Sequence, residues 1–166
     1  MISRENKIIP DITLQSTNGE NVRLSELTGK QVLYIHPMIG RPEKTIPKEW
    51  NSIPGASGCT AQSCGYRDLY TEYLYRNIKL YGLSTQLTSK QMEAKRRLHL
   101  PFDLLSDPEL YFGRALGLPT FRVGNVNYYK RLTMIVENAQ IVKILFPVES
   151  PQDNAKEILD WIDSSV

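Results

Sequence analysis

Histidine and cysteine are scarce in this 166-residue chain, two of each. A structural zinc site asks for four such ligands in two close pairs, and neither histidine belongs to a pair, so no metal is expected. His36 follows an apolar segment and His99 stands near a helix end before Pro101; each reads as an ordinary local residue. An excess of one charge is also missing. Twenty Lys+Arg against eighteen Asp+Glu leave +2, which argues against nucleic acid or an anionic membrane surface as the main partner. No apolar run reaches the roughly 20 residues of a spanning helix. Met1 to Lys7 lacks the apolar segment of a secretory leader, so a cytoplasmic protein is expected. In that reducing setting two close cysteines are more readily catalytic or metal-binding than a structural staple. With 41% apolar residues, the chain is long enough for one domain, 1–166, with a sizeable core.

What is present alternates strand and helix patterns. Gln31 to His36 is a continuous apolar run stopped by Pro37, the pattern of a central strand. From Ala61 the period becomes helical, with Tyr66, Leu69, Tyr70, Tyr73 and Leu74 on one side. Ile78 to Leu83 reads as a second strand, and Thr88-Ser89-Lys90-Gln91 has capping-box spacing for a helix that stops before Pro101. Asp107-Pro108 opens a short helix ending at Gly117. Tyr128 to Val136 and Gln140 to Phe146 are predicted to form an antiparallel hairpin. From Ser150-Pro151 a last helix turns Ala155, Ile158, Leu159 and Ile162 to the core. This order describes an α/β domain of the thioredoxin fold, three layers α/β/α around a central mixed sheet, with an N-terminal extension. Residues 38–58 break the pattern as a Pro- and Gly-rich insertion, far longer than the usual connection of about 2–6 residues. Its one large aromatic, Trp50, is expected to pin the loop to the core rather than line a pocket.

The two cysteines, Cys59 and Cys64, stand five apart where that loop gives way to a helix. Unpaired N–H groups and aligned peptide dipoles favour an anion at a helix N-terminus, so the Cys59 thiolate is expected to be unusually accessible. The plainer alternative is a pair of small packing residues. In an intact helix, five residues separate the two Cα atoms by roughly 7.5 Å along the axis, with side chains about 140° apart. A disulfide needs Cα atoms within about 7 Å, so bridging would require the first turns to unwind. A thiol–disulfide oxidoreductase of the C-x-x-C kind holds both redox states in one turn, and this spacing is not that. Peroxide reduction suits it better, because sulfenic acid forms on one sulfur first and a second thiol captures it later. A redox-responsive binding module is the non-enzymatic alternative.

Gly58-Cys59-Thr60-Ala61-Gln62-Ser63-Cys64, followed by Tyr66-Arg67-Asp68, resembles the active-site region of atypical 2-Cys peroxiredoxins of the bacterioferritin comigratory protein or Q type. Val32 to Pro37, Gly82 to Gln86, Leu100 to Pro108 and Arg131 to Val136 are similar to family segments in the same order. The resemblance implies reduction of hydrogen peroxide and organic hydroperoxides without a prosthetic group. Cys59 would be the peroxidatic sulfur, Cys64 the resolving one within the same chain, and a thioredoxin-like donor would recycle the disulfide, the protein acting as a monomer or homodimer. By the same match Arg131 would hold the thiolate and the polarised peroxide, a task that suits a rigid fork of donors. Lys130 is expected on the opposite face. The chain departs from the family at Pro-x-x-x-Thr-x-x-Cys, where Ala56 replaces the threonine and Pro37 is displaced by the insertion. The substrate-binding hydroxyl must then come from elsewhere or be missing. Ser57 is nearest, Thr60 next, and Thr45 only if the loop folds back.

Overall fold

A computed structural model describes residues 5–42 and 44–165. The leader reading of residues 1–4 and the insertion's residue 43 lie outside them. Among the described residues nine strands and five α-helices follow in chain order: β1 (Thr13–Ser16), β2 (Asn21–Arg23), β3 (Lys30–Ile35), α1 (Cys59–Asp68), α2 (Tyr70–Tyr75), β4 (Ile78–Ser84), α3 (Thr88–Leu98), β5 (Asp103–Ser106), α4 (Tyr111–Leu116), β6 (Thr120–Val123), β7 (Val126–Tyr129), β8 (Leu132–Glu137), β9 (Gln140–Leu145) and α5 (Asn154–Ser164). Seven strands make one sheet in the order β2-β1-β5-β4-β3-β8-β9, and β6 and β7 make a separate ribbon. Strands β3, β4 and β5 are parallel, while β1, β8 and β9 run antiparallel to their neighbours, so the sheet is mixed as expected.

Period-two alternation splits β3 between two cores. Val32 and Tyr34 join Tyr66, Tyr73, Ala94, Ile158 and Ile162 under α1, α2, α3 and α5. Leu33 and Ile35 join Phe112, Leu116, Met134 and Val136 on the face covered by α4. The three layers follow. Strand β4 is so hemmed in at Gly82 that a Cβ there would stand 2.6 Å from Leu104 Cδ2 on β5 and 2.8 Å from Tyr34 Cζ on β3. Only glycine leaves room for the Tyr34 ring, which carries part of the site.

Several expectations change. The predicted helix from Ala61 breaks at Leu69 (φ −104°, ψ 9°) into α1 and α2, and Leu74, expected inside, is exposed. The capping box does not form: Thr88 is already the first helical residue, its hydroxyl meets the Gln15 side chain, and Gln91 donates to the Leu105 carbonyl. The predicted strand 128–136 is cut at Lys130-Arg131, because Val126–Tyr129 pairs with β6 while β8 joins β3 and β9. Strands β1, β2, β5 and β6 were not expected; each has four residues or fewer, and β5 is defined by pairing with β1 and β4 rather than by its own pattern. The β8–β9 hairpin and the buried face of α5 are as expected.

Asp107 caps α4 from further back than predicted. The helix begins at Tyr111, and the Asp107 carboxylate accepts from the Tyr111 and Phe112 N–H groups, both at 3.1 Å. The buried Tyr129 hydroxyl donates to the same carboxylate and accepts from the Gly113 N–H at 2.8 Å. Tyr129→Phe therefore strands one buried N–H and removes a donor from Asp107. A loss of about 1–3 kcal/mol is expected in urea unfolding, with β3 and the cysteine region unaffected.

Candidate active site

Cys59 is the first residue of α1, behind Gly58 as N-cap. Gly58 holds φ 112°, a conformation that L side chains rarely adopt, and a Cβ there would also lie 2.9 Å from the Pro151 ring. The turn thus delivers the sulfur to the positive end of a ten-residue helix. Arg131, just before β8, brings Nη2 to 3.2 Å from Cys59 Sγ, and the Met38 N–H approaches it at 3.4 Å. The same guanidinium ties down the loop: Nη2 also donates to the carbonyls of Gly55 and Ser57, each at 3.1 Å. Its Nη1 donates to Gln62 Oε1, so both ends of the fork are committed.

Behind the arginine lies a buried polar relay. Gln62 Nε2 donates to Asn154 Oδ1 at 3.0 Å, and the hydroxyls of Tyr66 and Thr133 donate to the same oxygen. Tyr34 donates to Ser63 at 3.0 Å. The relay joins the first two turns of α1 to β3, β8 and the start of α5. Gln62 stands three residues beyond Cys59, a spacing that puts both on one helix face, so sequence could have shown it. Asn154, from a remote part of the chain, could not be read that way.

Cys59 is 3% exposed. That burial pushes its thiol pKa up, against the pull of the Arg131 charge and the Met38 N–H. Burial and the nearby positive charge thus oppose each other at this sulfur. Cys64 is half-buried further along α1, and both cysteines are free. With α1 unbroken from Cys59 to Asp68, helix geometry keeps the two sulfurs from bridging.

Above Cys59 opens a pocket of about 580 Å³. Met38, Pro42, Ile46 and Trp50 form its apolar wall, and Ser57 and Thr60 sit on its edge. Ser57 meets Arg131 through its carbonyl, not its hydroxyl. Pro37 is buried beside Met38, and Ala56 is fully buried where the family has its threonine. Lys130 is exposed, opposite to the buried Arg131, as expected. Trp50 pins the loop, though to the β6–β7 ribbon through Phe121 and Tyr128 rather than to the main core, and it also lines the pocket. Among the described residues no cluster of His, Cys, Asp and Glu could hold a metal.

His36 is not the ordinary local residue expected. It is fully buried, stacked on Tyr34 with ring centroids 5.4 Å apart, and among the described residues neither ring nitrogen has a hydrogen-bond partner. Burial, with Arg131 adding to it, pushes its pKa down to about 3. Below about pH 6.5 the unfolded chain binds a proton at His36 that the folded chain refuses, so stability falls with pH across that window. This contributes a loss on the order of 3 kcal/mol by pH 4. His36→Phe keeps the stack without the titration; its urea midpoint is expected to vary less between pH 7 and pH 4 than that of the wild type.

Residues 4–159 match the family model described as Redoxin. Over 110 residues the chain is 33% identical to peroxiredoxin bcp1 of Schizosaccharomyces pombe, a match covering 66% of this chain and 50% of that protein. The chain belongs to the redoxin family, as a peroxiredoxin of the bacterioferritin comigratory protein or Q type. This peroxiredoxin spans about half the length of its fission yeast relative. Its fold is that of the solved peroxidoxin BcpB from Mycobacterium tuberculosis, with a TM-score of 0.79, 22% identity and 97% of each chain covered. A bacterioferritin comigratory protein from Xanthomonas campestris, solved in a work on its alkyl peroxide reduction activity, matches with a TM-score of 0.75, 19% identity and coverage of 93% of this chain and 92% of that one. The segments of Arg131 and Cys59, far apart in sequence, meet at one sulfur.

Proposed function

We propose that the chain is a thiol-dependent peroxidase acting on hydrogen peroxide and organic hydroperoxides, with Cys59 as the attacking sulfur. The observation that carries this reading is the pair of donors, Arg131 Nη2 and the Met38 N–H, converging on Cys59 Sγ at the floor of an open pocket. The Cys59 thiol ionises, and the thiolate attacks the terminal oxygen of ROOH. The S–O bond forms as the O–O bond breaks, and the departing alkoxide takes up the proton the thiol released. The products are Cys59 sulfenic acid and ROH. Arg131 can hold the charge as it moves from sulfur to oxygen. The apolar wall of Met38, Pro42, Ile46 and Trp50 would accommodate the organic part of a larger hydroperoxide, and Ser57 and Thr60 stand where they can touch it.

Cys64 then condenses with the sulfenic acid, releasing water and leaving an intramolecular disulfide. That step requires the first turns of α1 to unwind, breaking the Gln62 and Ser63 contacts. A thioredoxin-like dithiol returns both thiols. The protein acts in this cycle as a monomer or homodimer, in the cytoplasm, with no nucleic acid or membrane partner; among the described residues no helix is long and apolar enough to cross a membrane.

The test is mass spectrometry after one equivalent of peroxide. The expected product is a Cys59–Cys64 link within one chain, accompanied by a loss of helical circular dichroism that thioredoxin reverses. Rapid reduction of insulin with no response to peroxide would point to a thiol–disulfide oxidoreductase instead. Because burial holds the Cys59 pKa up, the rate of sulfenic acid formation is expected to climb with pH through the thiol's ionisation and to fall below it.

A further inference from the structure

The donor set at Cys59 has an unusual origin. Ala56 offers no hydroxyl, and among the described residues neither Ser57 nor Thr60 places its own on the sulfur. The second donor is a main-chain N–H, that of Met38 in the insertion. A backbone donor at the start of a 23-residue connection, 36–58, needs something to aim it.

Resting on the peroxidase reading for its consequence, we propose that Gln86 is a positioning residue for this site: its carboxamide grips the Ile39 peptide and so directs the neighbouring Met38 N–H at Cys59 Sγ. The grip is two-sided. The Ile39 N–H donates to Gln86 Oε1 at 2.9 Å, and Gln86 Nε2 donates to the Ile39 carbonyl at 3.2 Å. Gln86 is itself braced against Ser84 at the end of β4: its own N–H donates to Ser84 Oγ at 3.2 Å, and that hydroxyl donates to Gln86 Oε1 at 3.3 Å. On the other flank the His36 N–H donates to the Leu83 carbonyl at 3.0 Å. Met38 is thus bracketed by two anchors on one strand end, with the Pro37 ring limiting rotation between them. The Ile39 side chain is buried in the core, and Arg97 Nη2 donates to the Gly40 carbonyl at 2.8 Å, which fixes the exit as well.

A hydrogen bond to the charged form favours that form. Misaiming the N–H therefore selectively disfavours the thiolate. The other ionisable groups near this sulfur are Arg131 before β8, Tyr34 on β3, His36 beside it, and Arg41 and Arg97 on the pocket lining, both ion-paired with Glu93. Gln86→Met changes none of them, so a shift in thiol ionisation would be traced to the N–H.

The experiment measures Cys59 alkylation by iodoacetamide against pH, in a Cys64→Ser background, with and without Gln86→Met. The expected result is an apparent thiol pKa about one unit higher in Gln86→Met. That is about a tenfold slower reaction at pH 7, recovering at high pH. Sulfenic acid formation with hydrogen peroxide should slow in parallel. A role confined to loop stability would lower the melting temperature but leave this pH profile in place. In the unsubstituted protein the Met38 amide proton shift should titrate with the alkylation midpoint, which decides the matter even if Gln86→Met folds poorly. An unchanged profile in Gln86→Met, or a Met38 amide indifferent to that midpoint, would overturn the proposal. Neither readout needs a peroxide, so a protein that passes both yet ignores peroxide would refute the peroxidase reading alone.

Discussion

Cys59→Ser is expected to reduce peroxide consumption, assayed with thioredoxin and its reductase, to the rate of the reductant couple alone. Cys64→Ser is expected to abolish sustained turnover while keeping the first reaction, a single burst of sulfenic acid trapped by dimedone. The asymmetry follows from position. Cys59 is at the helix end with Arg131 Nη2 3.2 Å away, whereas Cys64 lies further along the same helix, half-buried and outside the pocket. A serine hydroxyl is far less acidic than a thiol and cannot supply the attacking anion, so no partial activity is expected from Cys59→Ser. If Cys59→Ser turned over peroxide at the normal rate, the chemistry would belong elsewhere in the molecule. A Cys64→Ser protein that cycles normally would show that the resolving thiol comes from another molecule.

Arg131→Met is expected to slow sulfenic acid formation by about 10²–10³-fold, the usual cost of removing one donor aimed at developing charge. The residue also holds the loop carbonyls of Gly55 and Ser57 and the Gln62 side chain. Methionine fills the space of the stem but leaves those acceptors unpaired, so stability should fall too, by about 1–3 kcal/mol for each acceptor left dry. The two effects separate by pH. A lost guanidinium raises the thiol pKa further in the direction that burial already sets, so the slowing should be greatest at neutral pH. Arg131→Lys restores the charge as a point without the fork, and is expected to recover stability less than it recovers rate. Stopped-flow measurement with hydrogen peroxide, beside urea unfolding, reads both. A slowing below about threefold at pH 7 would remove Arg131 from the catalytic role.

Much of the frame was legible in the residues. Continuous apolar strands, the hairpin ending at Phe146 and the i, i+3, i+4, i+7 stripe of the last helix are local patterns, and local patterns survive folding when one face must be buried. The short strands β1, β2 and β5 escaped notice because their definition is pairing, not composition. Lys130-Arg131 looked like the middle of a strand; the bend there is created by two different sheets claiming its two halves. At the site, helix position was readable from the loop-to-helix transition before Cys59. Ionisation was not, since it depends on how deeply the loop covers the sulfur. His36 is the sharpest case. Its sequence context is a strand end before proline, and only packing makes it a buried, partnerless ring.

By itself, the sequence determined the alternation of the central strands and helices, the place of Cys59 at a helix start, and the five-residue offset of Cys64, because these are properties of neighbouring residues. Tertiary structure alone decided that Arg131 meets the sulfur, that Met38 lends it a backbone N–H, and that Asn154 gathers three donors behind it. The physical reason is range. Propensity and periodicity act over a few residues, whereas hydrogen bonding and desolvation at one atom are set by whatever the fold brings within a few ångströms of it.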